Sequence, residues 1–403
     1  MLPSIPSGAP GHGAKSVVRE VRAYLAGAGV DFGEKASSNW MNGRIAGPLT
    51  HFPEYRESKL SWGRDVLGSV VVEVEVASGE VGIGVSTGGP PACWIIENHF
   101  ARLLEGRQAG EIDVLWDVMW RASLYYGRKG IAIHALSAID LALWDLKGKM
   151  RGEPVFATLN NRARKELPLY ATTPRPDLAQ GMGFVGGKMP LIYGPADGDE
   201  GFALNLKLAE QMRSRTGGEF FLAYDAWLAL DVEYARRLVP ALAERGFWFL
   251  EDFLIPDDYA GFSDIKRRCP PGFHIATGEH EYTAYGFKLL IENQCCDIIQ
   301  PDVTWCGGLT ELLRIEASAE AGGVRLIPHA SSVYAYHFMM GRPDLPFGEF
   351  VNASDDGASI VPMYGPLFTN EPLPEGGVVR LSSDPGFGVE LNPKLRLSRP
   401  FLH

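Results

Sequence analysis

Apolar and polar positions alternate in VVREVRAYL (17–25) and in SVVVEVEV (69–76), the period-two pattern of half-buried strands. The turn ASGE and the run VGIGV follow the second stretch, which predicts a hairpin. From 91 to 150 the chain reads as helix. In HALSAIDLALWDLKGKM, Leu136, Ile139, Leu143 and Leu146 recur at helical spacing and form one apolar stripe. This first part predicts an antiparallel sheet packed with helices.

After about residue 165 the texture changes. Short β-rich runs recur, each followed by an amphipathic or mixed stretch: 167–173, 185–189, 220–226, 247–252, 274–280, 296–302, 325–331 and 347–351. Buried strands separated by crossover helices imply a parallel sheet. Eight of them in one run favour a closed α/β barrel of the TIM type over an open doubly wound sheet. No GxGxxG opens a helix after the first strand, which weakens the open-sheet alternative. The last two strands lie close together, and the Pro- and Gly-rich chain from about 360 onward is expected to return to the first domain.

Composition changes this picture little. The chain has 403 residues, 46% hydrophobic and 22% charged, as in a soluble globular protein with a large core. A net charge of −11 without a basic block argues against nucleic acid and membrane as partners. The odd set of five cysteines, with no CxxC, predicts free thiols and a cytoplasmic location. The N-terminus MLPSIPSGAPGHG lacks the basic and apolar regions of a signal peptide and reads as a disordered tail over 1–15.

The chemistry sits at the ends of the predicted strands. Asp225 ends FFLAYD, Glu251 ends FWFLE and Glu279 ends HIATGE, one β/α repeat apart. On neighbouring parallel strands, about 4.8 Å apart, the three carboxylates converge at the C-terminal mouth of a barrel. Three unpaired negative charges that close repel strongly, and a divalent cation resolves the conflict. Oxygen-only ligands point to Mg²⁺, with Mn²⁺ as the alternative. Asp302 ends CDIIQPD and His329 ends RLIPH, again one step apart. A carboxylate bonded to one imidazole nitrogen fixes the tautomer and raises the basicity of the other, which makes a general base. Glu349, on the eighth strand, faces the same mouth.

These residues, with LSAIDLALWDLKGK followed by EPVFATL, resemble the enolase superfamily in its mandelate racemase-like branch. Asn160 and Asn161 stand where relatives usually carry glycines. VEVEVASGEVG, PRPDLAQGMGFVGGKMP, DVTWCGGLT, PHASSVY and DPGFGVELN narrow the resemblance to sugar-acid dehydratases over about 16–403. The resemblance implies a (β/α)7β barrel at 161–360, an α+β capping domain at 16–160 and a C-terminal segment at 361–403. It implies a homo-oligomer acting on a small sugar acid. Asp225, Glu251 and Glu279 would hold Mg²⁺, His329 would be the acid/base and Asp302 its orienting partner. Glu349 would stabilise charge on the substrate carboxylate, protonated or hydrogen-bonding there.

Such an enzyme removes the weakly acidic proton at C2 and expels the C3 hydroxyl, leaving a 2-keto-3-deoxy acid. Racemase-like relatives carry a Lys-x-Lys pair on the second barrel strand. Here Lys188 is followed by Met189 and Pro190, which favours one-base elimination and leaves Lys188 as a substrate contact or rim charge; in the alternative register Lys188 is a possible second base. Close relatives place a histidine and an arginine in capping loops that touch the sugar acid. By the register of Trp40 and the YRES segment, Gly33 and Lys59 stand at those places. Lysine cannot reproduce bidentate carboxylate recognition. His280, beside Glu279, is a candidate replacement contact to sugar hydroxyls. The rival readings are an epimerase or a dehydratase for another aldonate, and a non-catalytic sugar-acid-binding protein.

Overall fold

The structure, a computed structural model, describes residues 14–26, 40–56 and 67–401. Gly33, Lys59 and nearly all of the tail 1–15 lie outside these residues.

The alternating stretches form an antiparallel sheet. β1 (Val18–Ala26) pairs with β2 (Ser69–Val76), and β2 pairs with β3 (Val81–Thr87) through the predicted hairpin. One face of β2 buries Val70, Val72, Val74 and Val76 completely. The other face carries Glu73 and Glu75, which hold the Arg22 guanidinium of β1 at 2.9 and 2.6 Å. The apolar stripe Leu136, Ile139, Leu143 and Leu146 is buried on helix Ile131–Arg151, which packs on β2 and β3. Gly82 and Gly84 make this approach close enough that a Cβ would lie 2.0 Å from Ala142 O and 2.0 Å from Ala138 O.

The helical region expected over 91–150 is interrupted. Helices Ile112–Ser123 and Ile131–Arg151 follow separate turns, and Gly106 and Gly130 sit at φ +84° and +73°. A side chain rarely adopts that conformation, so the helix ends and restarts there.

The barrel consists of β4 (Leu167–Thr172), β5 (Gly186–Pro190), β6 (Phe221–Asp225), β7 (Phe249–Glu251), β8 (His274–Thr277), β9 (Ile298–Ile299), β10 (Arg325–Leu326) and β11 (Gly348–Val351). All eight expected strands are present and their ladders are parallel, in the order β10-β9-β8-β7-β6-β5-β4-β11. Between β10 and β11, Ala330 N donates to Glu349 Oε2 at 3.0 Å. The interior is filled by Tyr170, Ala223, Phe249, Ala276, Ile298 and Ile327, with Phe221, Trp248 and Phe347 packed against them. The barrel is thus a packed core that can present side chains only at its ends.

Several strands stop earlier than their apolar runs. β8 ends at Thr277 instead of His280, and β9 keeps only Ile298–Ile299. Beyond these points the backbone leaves the ladder to bond side chains, as when Gly278 N reaches Asp252 and Thr304 N reaches Asp302.

The C-terminal stretch touches both parts of the molecule. β12 (Val378–Val379) pairs with the start of β4, and β13 (Leu397–Ser398) pairs with β1. Phe387 N donates to Asp145 of helix Ile131–Arg151 at 2.9 Å. All five cysteines are free. Among the described residues no helix is long and apolar enough to cross a membrane.

Candidate active site

Asp225 and Glu251 close β6 and β7 side by side in register, and Glu279 lies two residues past β8. A ligand oxygen from each falls within 4.8 Å of the others, and all three residues are buried. Trp227 N and Gln300 Nε2 orient Asp225 and Glu251 at 3.0 and 2.7 Å. Burial pushes the Asp225 carboxyl up to about 6 despite the pull of Lys188, and it pushes Glu251 well above its ordinary value. Glu279 Oε2 is buried without a partner among the described residues. The cluster is therefore short of positive charge, and its all-oxygen donor set fits Mg²⁺.

Lys188 is a cation beside the cluster, and it is not at the rim. It is 1% exposed, pairs with Glu251, and lies 2.8 Å from Glu349 and 3.6 Å from Asp225. Glu349 accepts from Lys188, from Thr172 Oγ1 and from Ala330 N. Burial would raise its carboxyl, but Lys188 and His329 outweigh burial and hold it at about 2. Of the two expectations for Glu349, a hydrogen-bonded group or a protonated one, this environment holds an ionised acceptor.

Two imidazole–carboxylate pairs face the cluster. His329 Nδ1 lies 2.7 Å from Asp302 Oδ2, whose other oxygen accepts from Thr304 N at 2.7 Å and Thr304 Oγ1 at 2.5 Å. His329 Nε2 is 3.4 Å from Glu279 Oε1. Burial lowers the affinity of this imidazole for a proton, but Glu279, Asp302 and Glu349 outweigh burial and raise it to about 10. In the second pair, His280 Nδ1 lies 3.0 Å from Asp252 Oδ2, and Asp252 Oδ1 accepts from Thr277 Oγ1 at 2.6 Å and Gly278 N at 3.2 Å. Here too Glu279 and Asp252 overcome burial, and His280 rises to about 9.

Sequence reasoning gave Asp252 no role. The signal was present, since Asp252 precedes His280 by nearly the same β/α step that separates Asp302 from His329. Thr172, Gln300 and Thr304, which orient the acids, carry no comparable signal. A cavity of about 470 Å³ opens over the cluster, lined by Lys188, Glu279, His280, His329 and Glu349 below and by Trp40 and Tyr55 from the N-terminal part of the chain. That volume suits one small ligand.

Comparison with known proteins agrees with this architecture. The model for the mandelate racemase / muconate lactonizing enzyme N-terminal domain matches residues 64–159, and the enolase C-terminal domain-like model matches 179–395. L-rhamnonate dehydratase of Saccharopolyspora erythraea is 50% identical over 387 residues, covering 96% of this chain and 99% of that one. The crystal structure of rhamnonate dehydratase from Gibberella zeae complexed with Mg superposes with a TM-score of 0.90 at 42% identity, covering 95% and 96% of the two chains.

Proposed function

The chain belongs to the mandelate racemase / muconate lactonizing enzyme family of the enolase superfamily, and from that premise we propose that it is a Mg²⁺-dependent hydro-lyase that converts L-rhamnonate to its 2-keto-3-deoxy acid. The observation that carries the reading is the setting of His329. One ring nitrogen is held by Asp302 and the other faces Glu279 of the oxygen cluster, in a cavity sized for one sugar acid.

Proton loss next to a carboxylate builds a second negative charge on its oxygens; Asp225, Glu251 and Glu279 would hold Mg²⁺, which would supply the compensating positive charge. With the Glu279 charge offset by Mg²⁺, the His329 imidazole would be neutral, its Nε2 would take the C2 proton, and Asp302 would keep the proton on Nδ1 and steady the imidazolium. The same imidazolium returns a proton to the departing C3 hydroxyl, and the enol tautomerises to the keto acid. Lys188 and Glu349 form a buried ion pair beside Asp225 and Glu251 of the oxygen cluster. The direct test is incubation with L-rhamnonate and Mg²⁺, with detection of the 2-keto-3-deoxy product by semicarbazide. A chelator should abolish the signal. No product from L-rhamnonate, with turnover of another aldonate, would replace the substrate and keep the chemistry.

The His280–Asp252 pair favours one second reading, epimerisation of an aldonate at C2. Two-base chemistry needs a proton carrier on each face of the substrate, and the cavity holds two imidazoles. Solvent deuterium at C2 of recovered acid, with no keto product, would select it.

A further inference from the structure

Four aromatic rings link the first domain to the proposed base, each stacked on the next. Tyr282 meets His134 at 5.6 Å and 27°, His134 meets Trp305 at 5.6 Å and 5°, and Trp305 meets His329 at 5.7 Å and 28°. His134 stands on helix Ile131–Arg151 and is held at both nitrogens, by Thr87 Oγ1 at 2.7 Å and Tyr282 OH at 3.1 Å. Burial pushes its imidazole down to about 4, so it is a neutral ring. It is not one of the described residues that line the cavity.

Trp305 is held as firmly. It lies on the loop that carries Asp302, where Trp305 N and Cys306 N donate to Asp302 O at 3.0 and 2.8 Å. The first domain grips this turn: Ser86 Oγ donates to Thr304 O at 2.6 Å, Trp116 Nε1 donates to Gly307 O at 2.7 Å, and Ser137 Oγ accepts from Gly307 N at 2.9 Å. Trp305 Nε1 is buried and makes no hydrogen bond among the described residues, so the indole serves its neighbours through its faces. His329, by contrast, is tied to Asp302 through Nδ1 alone, at 2.7 Å. One hydrogen bond restrains one atom of a ring and leaves its plane free to tilt. A flat neighbour removes that freedom, and aromatic rings attract one another at centroid separations of about 4.5–7 Å.

We infer that Trp305 is a positioning residue: supported by His134 of the first domain, it sets the plane of the His329 ring and so aims Nε2 at C2 of the substrate. The inference rests on the dehydratase reading and makes proton transfer depend on the contact between the domains. Proton transfer is sensitive to such aim, since a misplacement of about 1 Å that originates away from the reacting atoms can cost about 10²-fold.

The test uses the full-length protein with Mg²⁺ and L-rhamnonate. Turnover by wild type decides the dehydratase reading, and only the ratio of variant to wild type decides this inference. If wild type acts on another aldonate, that acid serves in the comparison. Trp305→Leu fills much of the space without an aromatic face, Trp305→Phe restores a face, and His134→Leu removes the ring that supports the indole. Turnover is expressed per Mg²⁺ bound, read by titration calorimetry, so that partial unfolding is not mistaken for slow chemistry. Trp305→Leu and His134→Leu should each lower kcat by about ten- to a hundredfold, with Trp305→Phe recovering most of the loss. His134→Leu should leave KM within about twofold of wild type, because the ring it removes lies outside the cavity lining. A space-filling role predicts instead that Trp305→Leu and Trp305→Phe turn over alike. That result overturns the inference, as does a wild-type kcat in His134→Leu or a loss that lies in KM alone. If either position does not tolerate substitution, the other decides by itself.

Discussion

At the scale of single residues, the proposed chemistry turns on one proton carrier. His329→Asn keeps a polar group in the same place but cannot exchange a proton near neutral pH. We expect kcat to fall by about 10²–10⁴-fold, the usual worth of a general acid–base group. Mg²⁺ affinity, read by titration calorimetry, should change little, because the oxygen cluster is built without this imidazole. Turnover close to wild type would remove His329 from the reaction. The positions of Asp225, Glu251, Glu279, Asp302 and His329 were legible in the sequence because each ends an apolar run one β/α step from the next. The surroundings were not legible. That Lys188 lies fully buried among three acids, or that Trp305 Nε1 lacks an acceptor, depends on contacts between residues far apart in the chain.

At the scale of elements, periodicity located every barrel strand but misjudged where several stop. Apolar runs such as HIATGEH record burial, whereas a strand ends where its backbone finds other partners, here the side chains of Asp252 and Asp302. VGIGV forms the expected hairpin, and its glycines are also the contact between β3 and helix Ile131–Arg151. A methyl at Gly84 meets Ala138 O at 2.0 Å and Ala142 N at 2.6 Å, both backbone atoms that can move only with the helix. Gly84→Ala should therefore cost about 1–3 kcal/mol, typical of overpacking. The expected result is a lower urea midpoint with an unchanged slope. An unshifted midpoint would mean that the helix can slide away from the sheet at little cost.

At the scale of the whole molecule, the two domains meet where helix Ile131–Arg151 grips the loop behind Asp302. Asp140 is central to that contact. It is fully buried, its Oδ2 accepts from Thr310 N at 3.0 Å, and its Oδ1 has no partner among the described residues. Burial raises its carboxyl from 3.8 to about 7, against the hydrogen bonds from Thr310 and the attraction of Arg314, and with Asp113 adding to the rise. Lys147 and the Cys306 thiol also feel its charge. Between those two values the folded chain binds a proton that the unfolded chain has lost. This contribution is fully present below about pH 4, falls as pH rises toward 7, and is absent above it. Asp140→Asn keeps an acceptor for Thr310 N and imitates the protonated acid at every pH. The variant should match wild type near pH 4 and exceed it increasingly up to pH 7, by a few kcal/mol. Urea midpoints for the two proteins across that range make the comparison, and parallel curves would show that the Asp140 carboxyl is ionised in the folded domain interface throughout.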